Sequence, residues 1–381
     1  MLASSDQAVA QYATWTENND ARNAVWCIGN NSAIPKRIQA VDDRLTADTA
    51  FLMANQGTHM LWRGDFQNAR QLLNALARRI DKKKKRPTGL RPQEAFNLHR
   101  LTQSQRARLL NTLLIELNPD CSIDLRRAPD VSQAYTTVFG EPKERFLLSL
   151  RALQGIIGAY EWRRKGIVIP ALQGSIHVHY GVFSPIRGEY IDLVANAPLP
   201  EKISQAFDIG TGSSVLAAIL ARRGVPRIIA TDIDDRALAC AQENIARLGV
   251  DSQVSLQSSN LFPQGQSELI VCNPPWLPAR PTSPIEHAIY DPDSQMLKGF
   301  IQGLPRHLTA DGEAWLIMSD LAEHLGLRSR DFLLDLISQA GLSVKGRLDA
   351  RPKHPKAFDI RDPLHEARSA EITSLWRLAR L

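Results

Sequence analysis

Apolar side chains recur at helical spacing in three stretches of the first 165 residues. Residues 68–80 set Leu72, Leu73, Leu76 and Ile80 on one stripe. Residues 101–118 repeat the pattern with Leu109, Leu110, Leu113 and Leu114, and Asn118-Pro119 stops them. Residues 144–163 are apolar at the same period, so residues 1–165 are expected to form a helical domain. The texture changes at Gly166. Residues 166–194 alternate apolar and polar positions with Gly and Pro between, which predicts a strand pair, a β-hairpin linker over 166–198. From Ala206 onward the short apolar strands AFDIG, RIIATD, ELIVCN and AWLIM alternate with amphipathic stretches, and the chain closes on the strand-like EITSLWRLARL. That order calls for parallel strands with helices on both faces, an α/β domain over 199–381.

Composition narrows the class. A chain of 381 residues has room for two or three domains and needs no staple to be stable. With 44% hydrophobic and 23% charged residues it is an ordinary globular protein, and no apolar run approaches the length of a membrane span. The polar N-terminus lacks the pattern of a secretory leader. Cys27, Cys121, Cys240 and Cys272 form no C-x-x-C pair and read as free thiols in a reducing compartment, so a cytoplasmic location is expected. Charge is uneven: the first 200 residues hold 26 of the 46 basic and 18 of the 40 acidic residues, net +8, against −2 for the rest. That asymmetry permits an acidic partner such as RNA. The run Lys82-Lys83-Lys84-Lys85-Arg86 reads as a solvated loop. No metal is expected: His177 and His179 lack a third ligand, and Asp291-Pro292 in Tyr290-Asp291-Pro292-Asp293 reads as a helix cap.

Candidate chemistry begins at Asp208-Ile209-Gly210-Thr211-Gly212-Ser213-Ser214-Val215, which follows a strand and opens a helix. Glycines there let the backbone turn tightly against a ligand at the carboxyl edge of a sheet. Asp232, 22 residues beyond Gly210, closes the next strand and can accept both hydroxyls of a ribose. A dinucleotide site would want a third glycine where Val215 stands, to bring a helix N-terminus to a pyrophosphate. A ligand without phosphates has no need of that cradle, which tilts the expectation from a dinucleotide toward S-adenosylmethionine.

The second motif is Asn273-Pro274-Pro275-Trp276, reached directly from the strand ELIVC. An amide or exocyclic amine is a poor nucleophile because its lone pair is delocalised. The Asn273 side-chain oxygen and the Pro274 carbonyl can accept its two N–H groups, Pro274 and Pro275 stiffen the turn, and Trp276 can stack on a flat acceptor.

Taken together, these motifs resemble class I methyltransferases of the amino-N group. Two branches are similar. HemK-type protein-glutamine methyltransferases place a helical domain and a strand pair before this catalytic order; they usually read P-R-P-x-T-E where this chain has Ser184-Pro185-Ile186-Arg187-Gly188-Glu189-Tyr190. Small-subunit rRNA guanine-N2 methyltransferases carry a G-V-F-S segment, matched by Gly181-Val182-Phe183-Ser184, and an α/β first domain; they normally end the turn in Phe. The resemblance spans roughly residues 180–345. It implies a doubly wound, mostly parallel, seven-stranded Rossmann-like sheet. The implied cofactor contacts are Asp208, Gly210, Thr211, Gly212, Asp232, Ile233, Asn260, Leu261 and Asn273, with Asn260 where many relatives place an adenine-binding Asp. Its implied acceptor is a macromolecule, a protein of the translation apparatus or RNA, recognised by residues 1–165. N-methylation of a small metabolite, and a non-catalytic S-adenosylmethionine-binding module on RNA or the ribosome, stay open. Oligomeric state leaves no trace in the sequence.

Overall fold

The computed structural model describes residues 11–27, 29, 32–82, 89–186, 188–281, 284–353 and 355–381. The chain divides into two compact units, Met1–Gly89 with Leu98–Tyr160, and Leu90–Asn97 with Glu161–Leu381. Among the described residues, no helix is long and apolar enough to cross a membrane.

The expected helical domain is corrected by the first unit, which contains a mixed six-stranded sheet. Its strands and helices run β1 (Tyr12–Glu17), β2 (Asp20–Trp26), β3 (Ile38–Val41), α1 (Ala47–Asn55), β4 (His59–Trp62) and α2 (Phe66–Lys82). They continue with α3 (Pro92–Leu110), β5 (Leu113–Leu117), α4 (Ser132–Phe139), β6 (Phe146–Ser149) and α5 (Leu150–Lys165). The first stretch is helical as expected: α2 buries Leu72, Leu73, Leu76 and Ile80. In the second, Leu109 and Leu110 close α3, whereas Leu113 and Leu114 open a strand whose Leu113, Leu114, Ile115 and Leu117 are all buried. A short, continuous apolar run suits a strand covered on both sides as well as it suits a helix. The third stretch divides likewise into β6 and α5. The lysine run lies outside the described residues beyond Lys82.

The second unit opens on β7 (Ile167–Ile169) and β8 (Gly174–Ile176), an antiparallel pair joined by one 3-10 turn. The segment expected as linker goes further: α6 (Glu189–Asn196) is helical and buries Tyr190, Ile191, Leu193 and Val194 in this unit's core. Then come β9 (Ala206–Ile209), α7 (Val215–Arg222), β10 (Ile228–Asp232), α8 (Asp235–Leu248), β11 (Val254–Ser258) and β12 (Ser267–Cys272). The chain ends through α9 (Gln295–His307), β13 (Leu308–Ser319), α10 (Leu321–His324), α11 (Phe332–Gln339), β14 (Leu342–Ala350), α12 (His365–Ala370) and β15 (Thr373–Arg380).

Seven strands pair in the order β11-β10-β9-β12-β13-β15-β14, parallel except at β15. One core packs α6, α7 and α8 on one sheet face through Val194, Leu216, Leu220 and Ile245. A second packs α9 and α11 on the other through Leu297, Phe300, Leu333 and Ile337. With both faces covered, the central strands are continuous apolar runs, and the order reverses beside β9, where an open α/β sheet offers a crevice.

Candidate active site

The turn after β9 is held in an uncommon backbone shape. Gly210, Gly212 and Ser214 have φ of +71°, +56° and +65°. A serine in the left-handed region is strained and persists only where its surroundings over-determine it. Those surroundings are polar and specific. Asp208, 1% exposed, accepts from the Thr211 hydroxyl (2.7 Å) and from the Ala217 amide in the first turn of α7 (3.1 Å). The Thr211 amide donates to the Thr231 carbonyl (2.8 Å), and the Gly212 amide to the Asp232 carboxylate (2.9 Å). Asp208 and Thr211, expected as cofactor contacts, thus have side chains turned into the turn that they shape.

Asp232 ends β10, half-buried, and accepts also from the Asp234 amide (3.0 Å). Burial raises its carboxyl above the usual range, and burial pushes Asp208 up to about 6, with the charge of Asp232 adding to it. Beside Asp232, Ile233 is 70% exposed and Asn260 is exposed. Leu261 has φ +73° and its carbonyl receives the Thr231 hydroxyl (2.6 Å). The Ser259 amide donates to the Asp232 carbonyl (3.1 Å), so the β10 and β11 ends form one rim.

The reactive turn adjoins it. Cys272 pairs with Ile209 in register, which puts Asn273 beside Gly210 at the same sheet edge. Asn273 is half-buried and its side-chain oxygen accepts from the Trp276 indole N–H (2.9 Å). The Trp276 ring, expected to stack on the acceptor, is partly buried and packs against both cores. Leu277 anchors the exit: it packs with Phe96, Leu321, Leu325 and Leu364, and its carbonyl receives the Asp291 amide (2.8 Å). Asp291, 5% exposed, accepts from the Met296 and Leu297 amides in the first turn of α9; the expected cap is corrected in place, because Pro292 opens a separate 3-10 turn and Ser294 stands at the N-cap of α9. Burial holds the Cys272 thiol well above its ordinary range, with Asp208, Asp291 and Asp232 adding to the effect, which disfavours the thiolate.

The expected residues therefore converge on one edge. What the sequence reading missed is Asn244 of α8, fully buried, which donates to the Ser213 carbonyl. Its signal was a carboxamide on an apolar stripe with Ala237, Cys240, Ala241 and Leu248. His177 and His179 bind the Arg163 carbonyl (2.6 Å) and Glu243 (2.7 Å), and among the described residues no His, Cys, Asp and Glu group could hold a metal.

Known proteins match this part of the chain. Residues 193–274 match the family model for ribosomal protein L11 methyltransferase. The release factor glutamine methyltransferase of Cereibacter sphaeroides is 31% identical over 41% of this chain and 60% of its own length. The ribosomal protein uL3 glutamine methyltransferase of Bordetella pertussis is 29% identical over 33% and 47%. Among solved structures, the ribosomal protein L11 methylase of Lactobacillus delbrueckii subsp. bulgaricus covers 55% of this chain and 86% of its own, at 19% identity and TM-score 0.38. The sequence likenesses are to methyltransferases, whose methyl donor is S-adenosylmethionine, and the segment matched by the family model lies in the second unit. This chain spans 60% of the length of the first of these relatives and less than half of the second.

The residues fit that cofactor. The amide of Ala217, which a phosphate would need at the α7 N-terminus, is taken by Asp208, and Val215 is buried in the core. Of the nearby acids, Asp232 is half-buried at the end of β10 and is the one with a carboxylate to offer a ribose, whereas Asp208 and Asp291 are buried and answered within the protein.

Proposed function

We propose that this chain is an S-adenosylmethionine-dependent N-methyltransferase acting on a planar amide or exocyclic amine of a macromolecule of the translation apparatus. The observation that carries the reading is the placement of Asn273-Pro274 at the sheet edge beside the acid-lined glycine turn. Bound there, S-adenosylmethionine supplies a methyl on a positively charged sulfur, open to direct displacement. Asp232 would hold the ribose hydroxyls on the lone pairs that Gly212 and Asp234 leave free, Ile233 and Leu261 would contact the adenine, and Asn260 would accept from its amine. The Asn273 oxygen keeps a second lone pair for one acceptor N–H while the first holds the Trp276 indole. The Pro274 carbonyl takes the other N–H, so the nitrogen lone pair is aimed rather than free to rotate. Trp276 fixes Asn273 and closes one side of the acceptor site.

A protein glutamine as acceptor is supported by the glutamine methyltransferases among the relatives. An exocyclic amine of an RNA base is the second reading, favoured by Gly181-Val182-Phe183-Ser184 and by a first unit that is α/β. In both, the basic first unit recognises the acceptor. The test is transfer of labelled methyl from S-adenosylmethionine to a cell extract, followed by protease or nuclease. Label released by protease alone supports glutamine; label released by nuclease alone supports a base. Label confined to small molecules would overturn both.

A further inference from the structure

We propose that Asn244, which no ligand can touch because it is fully buried, positions the glycine turn for the cofactor. A carboxamide on an apolar helix face is costly unless every group on it is bonded. Here the side-chain oxygen accepts from the His177 amide (2.7 Å), and the nitrogen donates to the carbonyls of His177 (3.2 Å) and Ser213 (3.2 Å). Asn244 thus takes both backbone groups of His177, just beyond β8, as a neighbouring strand would, and ties that point to the turn.

The bond to Ser213 falls at a decisive place. Ser213 precedes Ser214, the one non-glycine left-handed residue of the turn. Asp208, Thr231 and Asp232 fix Thr211 and Gly212, and the Ser214 amide donates to the Thr211 carbonyl (2.8 Å). Asn244 holds the Ser213 carbonyl from the other side and so fixes the peptide that turns left-handed. Losing that bond lets Ser214 relax toward an ordinary conformation, and the Gly212 amide and Asp232 lose their register.

The inference rests on S-adenosylmethionine binding at this turn, and calorimetry on the full chain tests both. Gln253 is the matched control: its side-chain amide donates to the carbonyls of Ala221 (3.2 Å) and Val225 (3.0 Å), in the same unit but beyond the turn. Asn244→Ala and Gln253→Ala should each lower Tm, but only Asn244→Ala should raise the Kd for S-adenosylmethionine, by about tenfold or more. Asn244→Asp keeps an acceptor for His177 but loses the donor to Ser213, so it should share that loss. If Asn244→Ala does not fold, Asn244→Ser, which retains a hydroxyl, carries the same comparison. A folded Asn244 variant with the parent Kd, or Gln253→Ala raising Kd as much, overturns the proposal. A parent chain that gives no heat with S-adenosylmethionine overturns instead the reading on which it rests.

Discussion

Each unit ends parallel strands in the same two kinds of turn, an acid after one strand and an Asn-Pro after another, and the two acids are answered differently. In the first, Asp65 follows β4 and Asn118-Pro119 follows β5, its parallel neighbour. In the second, Asp232 ends β10 and Asn273-Pro274 follows β12. The difference lies in what answers each group. Asp65, buried, takes the guanidinium groups of Arg127 (2.7 Å) and Arg126 (2.9 Å) and the Gln67 amide, and the hydrogen bond from Arg127 holds its carboxyl far below the usual range. Asn118 closes on its own loop, donating to the Ser122 hydroxyl (3.0 Å). Asp232 is bonded by backbone amides, and burial raises its pKa. An acid answered by arginine is finished as structure. One answered by backbone amides alone keeps lone pairs to offer a ligand's hydroxyls.

The largest expected effect sets the two asparagines against each other. Asn273→Ala should cut kcat by about a hundredfold or more, with cofactor Kd unchanged, because it removes an acceptor for the reacting nitrogen. Asn118→Ala should leave kcat within about twofold, since its bond only closes a loop. Steady-state kinetics on both variants checks this; equal losses would dissolve the distinction.

A smaller effect follows from the acids. Asp208 keeps its proton to a higher pH folded than unfolded, so its share of stability is present below the ordinary carboxylate range and lost as pH rises through about 6. Asp65 runs the other way: its share is present above the ordinary range and lost as pH falls below it. Asp232 must be ionised to accept both ribose hydroxyls, and burial raises its carboxyl, so cofactor affinity should climb as pH rises above the ordinary carboxylate range. Titration calorimetry across that range should show the climb, and Asp232→Asn should flatten it. A Kd that does not move with pH in the parent would remove Asp232 from the site.

The second unit was largely legible because its strands are buried on both faces and its turns are chemically loud: Gly210 and Gly212 after one strand, Asp232 at the end of the next, prolines after the fourth. The first unit was not. Its hairpin between β1 and β2 turns through Asn18 and Asn19, both with positive φ, a turn signal flanked by alternating YATWT that was available and passed over. Leu113–Leu117 misled for a physical reason, since five residues, four of them apolar, are too few to separate period 2 from 3.6. In the site, the inward roles of Asp208 and Thr211 and the brace at Asn244 depend on side-chain direction across elements, which spacing along the chain does not carry.

The most direct test is calorimetric titration of S-adenosylmethionine into the parent, Asp232→Asn and Asp65→Asn, each checked for folding by its thermal transition. The account predicts one site in the parent, binding weakened by roughly 1–3 kcal/mol in Asp232→Asn, and parent affinity with a lowered Tm in Asp65→Asn. Parent affinity in a folded Asp232→Asn, or a loss confined to Asp65→Asn, would contradict it.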